Sequence, residues 1–328
     1  MKKFIQKNKT NKNLISIATI VVIYLIIGFM LDNRMINRQI TNMIIPISYY
    51  IVLAVSLNLV VGFLGELSLG HAGFMAVGVF TGALFSLHFV DILPLAIRLP
   101  LSMLIAGLVA AAVGLIVGTP ALRLNGDYLA IVTLACGEII KDIIMNLEIT
   151  GGAMGLFTTS IKEKPAVLLP YAAVLVLLTV IVMINLQKSK TGRAIMAIRD
   201  NKIAAESMGI NITYYKLLVF VIAAFFAGAA GALYSHLMAQ VTPSTFNYNM
   251  SIEILVIVVL GGMGSVRGSI IAAILLQAIP EMLREFSEYR MLAYSILLVL
   301  IMIFNNNPTF IEFRERIKHS LKRNKEVN

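Results

Sequence analysis

PAVLLPYAAVLVLLTVIVMIN, residues 165–185, runs for 21 positions without a charged side chain. At 1.5 Å rise per residue a helix of that length reaches about 31 Å, the thickness of a bilayer's hydrocarbon core. Such a helix satisfies its own main-chain groups and offers apolar side chains to lipid. The solvent of this chain is therefore membrane, and the polar segment from Gln187 to Tyr215 that follows lies outside it.

Reading outward, apolar runs fall near residues 14–31, 42–62, 67–89, 99–119, 128–147 and 165–185 before that segment, and near 216–239, 251–263, 268–283 and 291–306 after it. Six crossings followed by four return the chain to the side on which it starts. Runs 251–263 and 268–283 are short and 67–89 is rich in glycine, so broken or re-entrant helices are expected there, and eight spans close the topology as ten do. The fold class expected is all-α, a polytopic transmembrane helical bundle of about 8–10 spans. Leu59 to Leu84 and Val256 to Leu276 share a pattern, an apolar run, a glycine cluster and another apolar run, which fits either a duplicated half or chance.

Basic residues cluster in three places: Lys2, Lys3, Lys7, Lys9 and Lys12; Lys188, Lys190, Arg193, Arg199 and Lys202; and Arg314, Arg316, Lys318, Lys322, Arg323 and Lys325. Cytoplasmic loops carry such an excess. The expected organisation is a basic cytoplasmic segment over 1–13, a transmembrane domain over 14–306 with a cytoplasmic loop at 187–215, and a basic cytoplasmic tail over 307–328. Asp32, Asn33 and Arg34 follow the first run without a small-residue cleavage pattern, so it reads as a retained helix.

Composition excludes several function classes. With 59% hydrophobic and 13% charged residues, a soluble globule would lack polar surface. The net charge of +10 sits in flanking segments, not on a folded basic face, so nucleic acid is not an expected partner. Cys136 stands alone, His71, His88, His236 and His319 are scattered, and no metal set is expected. The chain has no phosphate-cradling Gly-x-x-x-x-Gly-Lys-Ser/Thr loop, and Gly262 and Gly264 lack the strand and acidic residue of a dinucleotide site, so no cofactor is expected.

Within the polar segment, Ile195, Ile198, Ile203 and Met208 are spaced for short amphipathic helices on the membrane surface. Asp200 is placed to cap a helix of about two turns beginning at Asn201, and Gly209 to end it. That helix carries Ala204, Ala205 and Glu206. Small residues let a helix enter a groove on another protein, with Arg199, Asp200 and Glu206 as rim charges, although an ordinary interfacial helix has the same pattern.

RDNKIAAESMGIN, residues 199–211, resembles the cytoplasmic loop of permeases in the branched-chain amino acid ATP-binding cassette (ABC) importers. The likeness extends from about Asn58 to Pro280 through GELSLGHAG (65–73), GDYLAIVTL (126–134), TGG (150–152), GAAGALY (228–234) and LGGMGS (260–265), a pattern most similar to the M-type permeases. The general importer docking motif is Glu-Ala-Ala, three residues, then Gly; Ala204, Ala205 and Gly209 fall in register, but Ile203 stands in place of the Glu. The resemblance implies a pathway for Leu, Ile or Val with no catalytic residue in this chain. Its implied partners are a second permease subunit, an H-type chain in a heterodimer, two ABC ATPase subunits, an extracytoplasmic amino-acid-binding protein and membrane lipid. It also implies the inner or plasma membrane, with both termini cytoplasmic. Urea, amides and nucleosides remain alternative solutes.

An ionisable group within an apolar run calls for a function or a partner. Glu138 and Asp142, four apart, share a helix face able to line a wet cavity, and neighbouring Lys141 is expected to find its partners on other helices. Glu253 begins its run and fits the headgroup zone. Ser68 and His71 belong to a small-residue element, with Glu66 at its edge, and are pathway candidates; as a nucleophile and base they lack an orienting group. A secondary transporter using Glu138 or Asp142 as a proton site is the rival reading.

Overall fold

A computed structural model describes residues 18, 20–31, 37–124, 126–282, 296 and 299. Among these residues the fold is all-α, as expected. Helix α1 (Ile20–Leu31) is followed by α2 (Arg38–Asn58), which passes directly into a π-helical turn, Leu59–Leu64. Then come α3 (His71–His88), α4 (Leu95–Ala121), α5 (Asp127–Asn146) and α6 (Pro165–Lys188). Two short surface helices, α7 (Lys190–Asp200) and α8 (Lys202–Ser207), precede α9 (Ile212–Leu237), α10 (Tyr248–Gly261) and α11 (Val266–Met282).

Five of the described helices are long and apolar enough to cross a membrane: Ile40–Leu64, α3, α4, α6 and α9. Helix α5 has 20 residues but is interrupted by Glu138, Lys141 and Asp142. Helix α10, with 14 residues, is too short to cross unaided. The run at 291–306, apart from two positions, and the basic segments 1–13 and 307–328 lie outside the described residues. The chain divides into two compact units, residues 1–274 and 275–328; the first holds α1 to α10 and the start of α11, and the described part of the second begins with the rest of α11.

The core of the first unit is α9, packed against α3 and α4. The pairings Gly78 with Gly228 and Gly82 with Ala232 set α3 and α9 parallel, whereas Gly107 against Phe225 and Gly118 against Phe220 set α4 antiparallel to α9. Small residues are needed because lipid tails are as apolar as leucine, so association depends on close backbone approach and dispersion. A methyl group at Gly78 would land on the Gly228 main chain. Helices α4 and α6 turn outward, exposing Leu104, Leu108 and Ile116, and Val174 and Leu178.

The two ends of the bundle differ. One carries α7 and α8, with α7 against the π turn and α9. At the other, the connection after α5 forms the strand β1 (Leu156–Phe157), which pairs antiparallel with β2 (Gln240–Val241), matching Leu156 to Val241.

Candidate functional site

Two helix breaks and the surface segment 190–209 meet at the α7–α8 end. Ser189 Oγ accepts from Gly192 N–H at 3.0 Å and starts α7, which buries Ile195 and Ile198 as their spacing requires. The chain then turns at Asn201. Contrary to expectation, the cap of α8 is Asn201, whose Oδ1 accepts from Ala204 N–H at 3.0 Å; Asp200 ends α7 instead, held by Arg199 Nε and Nη2 at 3.2 and 3.0 Å. Asn201 has extended backbone there, the geometry a cap needs. Gly209 ends α8 as expected: its φ is +80°, its N–H donates to Glu206 O, and Ile210 N–H donates to Ala205 O.

The outward surface of α8 also differs from the expected one. Ala205 is 4% exposed and turned into the protein, whereas Ile203 and Met208 are 81% and 82% exposed. With Ala204, Glu206 and Ser207 also exposed, the face open to another protein is apolar at both ends and small in the middle. Apolar spacing alone turns Ile203 and Met208 toward the membrane surface; α8 instead packs against α7 and α9 with small Ala205 covered, which leaves Ile203 and Met208 outward.

Arg199 reaches into the bundle. Its Nη1 donates to Gly62 O at 3.1 Å, within the π turn, and its Cγ lies only 2.6 Å from where a Cβ on Gly65 would be. Gly65 has φ +78° and ends the helix, and the stretch to Gly70 is irregular before α3 begins. The glycine-rich run 67–89 is thus broken at its start. The second break, Gly262–Ser265, lies alongside: Gly264 N–H donates to Asn58 Oδ1 at 2.8 Å, and Asn58 Nδ2 donates to Ser269 Oγ at 3.0 Å. Asn58 is fully buried and stitches the two glycine clusters together.

Of the remaining candidates, Glu66 and Ser68 lie in the irregular stretch after Gly65 and His71 opens α3. Glu66 forms an ion pair with Lys216 of α9, a residue 1% exposed that the sequence reading used only as a span boundary. Ser68 is buried, and Leu69 N–H donates to Thr133 Oγ1 at 3.0 Å. Ser68 precedes α3 rather than lying on it with His71. His71 is 2% exposed and bonds Ser56 Oγ through Nε2 at 2.9 Å. Glu138 and Asp142 lie on α5, whose Gly137 packs against Gly70 and Gly73. Lys141 pairs with Glu138 and stands 3.6 Å from Asp142, so its partners are on its own helix, not on others; Glu138 is the neighbour one turn away. Glu253 accepts from Tyr50 Oη at 3.0 Å. A cavity of about 720 Å³ between α1 and α6, lined by Tyr24, Gly28, Leu169 and Pro170, includes none of these residues.

A polytopic helical bundle whose two glycine-rich breaks are fastened to a surface helix pair has the build of a transporter's membrane subunit. Residues 39–305 match the family described as "Branched-chain amino acid transport system / permease component", and the chain belongs to that family. It is 40% identical over 304 residues to the high-affinity branched-chain amino acid transport system permease protein LivM of Salmonella typhimurium, covering 82% of this chain and 69% of the relative. It is 39% identical to the LivM of Escherichia coli with the same coverage. It is 25% identical over 197 residues to the probable LivM of Methanocaldococcus jannaschii, covering 58% of this chain and 57% of the relative. No solved structure matches the chain.

Proposed function

We propose that this chain forms part of the membrane pathway of an ABC importer for branched-chain amino acids. Solute arrives from an extracytoplasmic binding protein, and two separate ATPase subunits drive the cycle. A second permease chain, of the H type, completes the pathway. The transporter lies in the inner or plasma membrane, with both termini and segment 187–215 cytoplasmic.

The observation that carries the reading is the bond from Arg199 to Gly62 O, because it ties α7 and α8 to the helix break. The ATPase docks on α8 through Ala204 and Glu206, beside exposed Ile203 and Met208. Asp200 holds Arg199 in its bonding pose, Ala205 seats α8 on the bundle, and Gly209 ends it. Closure of the ATPases then moves Arg199, and with it the π turn, between two states that bind the partners differently. Ser68 and His71 mark the pathway at the break, and Glu138 and Asp142 its polar wall on α5. The Lys141 pairing with Glu138 is less suited to a free proton site.

Co-expression with the ATPases, the second permease and the binding protein, followed by reconstitution, tests this. Expected is ATP-dependent uptake of Leu, Ile or Val that stimulates hydrolysis. Uptake at the same rate by this chain alone, without nucleotide, would overturn it.

A further inference from the structure

At the end of the bundle opposite α7 and α8, three buried side chains each leave a polar atom without a partner among the described residues: Ser86 Oγ, Arg98 Nε and His236 Nε2. Ser86 and His236 are 0% exposed and Arg98 is 5% exposed. They come from the last turn of α3, the first turn of α4 and the last turn of α9. The layer beneath brings them together: Ser102 Oγ donates to Gly82 O at 3.1 Å, and Gly82 lies against Ala232. Ser86 is one turn beyond Gly82, His236 one turn beyond Ala232, and Arg98 one turn before Ser102 on antiparallel α4. All three therefore fall in the next layer outward. Arg98 is within electrostatic reach of the His236 ring.

Their hydrogen-bonding needs are complementary, yet none reaches another. His236 Nδ1 lies 2.8 Å from Ala232 O, which can only accept, so the proton is on Nδ1 and Nε2 presents a lone pair. Arg98 Nε offers a donor, and the Ser86 hydroxyl offers either role. An anion would suit Arg98 and be repelled by the Nε2 lone pair; a cation would do the reverse. The guanidinium charge is favoured at this end of α3. Nη1 donates to Val90 O at 3.1 Å just past the negative end of α3, and Nε is the one guanidinium nitrogen both buried and unpartnered. Above the cluster, Glu163 N–H donates to His236 O at 2.8 Å and Thr158 N–H to Ala239 O at 2.9 Å, so the connection between α5 and α6 closes over it.

We propose that Ser86, Arg98 and His236 form a binding site for one ordered water. The water accepts from Arg98 Nε–H, donates to His236 Nε2 and shares a third bond with Ser86 Oγ, tying the outer ends of α3, α4 and α9 together.

Diffraction from the assembled transporter, collected in chloride and again in bromide, tests the site. Expected is a single solvent peak within hydrogen-bonding distance of all three atoms, with no anomalous signal in bromide. A bromide signal at that point would make it an anion site and overturn the proposal, as would Ser86 Oγ bonded directly to His236 Nε2 with no peak between them. His236→Phe keeps a ring and removes the acceptor, so it is expected to lose the peak and lower the thermal unfolding midpoint. An unchanged midpoint together with a retained peak counts against the water's role.

Discussion

Arg199 Nη1 donates to Gly62 O at 3.1 Å, joining a surface helix to the π-helical end of a membrane span 137 residues earlier. A π turn leaves carbonyls off the regular ladder, and such turns recur at functional positions. Here the freed acceptor receives a cation from the segment proposed to bind the ATPase. In the proposed cycle, force applied to α8 would reach the first glycine break through this bond and the second through Asn58.

Arg199→Ala should uncouple hydrolysis from transport. A hydrogen bond to a charged group contributes about 1.5–3 kcal/mol, so transport per ATP should fall roughly tenfold or more while basal hydrolysis persists. Arg199→Lys should rescue poorly, because a point charge cannot hold Gly62 O and Asp200 together as the planar fork does. Parallel uptake and phosphate-release assays in vesicles measure the ratio; an unchanged ratio in Arg199→Ala would refute the relay.

Gly65 and Gly209 both have positive φ, +78° and +80°, but only Gly65 has a neighbour where a side chain would go. A left-handed backbone costs a residue with a Cβ about 1–2 kcal/mol. Gly65→Ala adds a collision with Arg199 to that strain and should reduce coupling as well as stability. Gly209→Asn meets nothing within 4 Å and should be close to neutral, because Asn tolerates the left-handed region. Unfolding midpoints of the two purified complexes, with transport alongside, separate strain from collision.

How much of this could be read in the sequence depends on the length scale of the cause. Spans such as α4, α6 and α9 follow from apolar length alone, and α8's end follows from Gly209, because both causes are local. Which face of α8 turns inward is decided by α7 and α9, against which it packs, not by its own spacing, so Ala205 is covered while Ile203 and Met208 stay out. Asn58 was not singled out: it looks like an ordinary polar residue in an apolar run, and its partners Gly264 and Ser269 are over 200 positions away. Lys216 carried a readable signal, a charge at the start of an apolar run, but its partner Glu66 lies 150 positions earlier, with α3 to α8 between them.

Glu66 and Lys216 should show strong energetic coupling. Removing one partner of a buried pair costs about 3–5 kcal/mol, because the other charge is left uncompensated, while replacing both is often nearly neutral. Lys216→Met should therefore strongly destabilise the complex, and Glu66→Gln with Lys216→Met should recover most of the loss. A double-mutant cycle on unfolding midpoints measures it; additive effects would refute the coupling.

The outward face of α8 separates docking from folding. Ala205 is packed inside, so Ala205→Trp should lower permease yield and thermal stability whether or not an ATPase is present. Ile203→Asp and Met208→Asp alter exposed positions and should leave the permease as stable as before, since surface changes usually stay within about 0.5 kcal/mol. If the ATPase seats on this face, those two substitutions should strip it from the detergent-solubilised complex, because a charge placed at an apolar contact must be desolvated without a partner. Co-purification ratios give the result. Full retention of the ATPase in the Ile203→Asp, Met208→Asp double variant would move the docking surface off α8, while leaving the Arg199 link to Gly62 to be explained as scaffold alone.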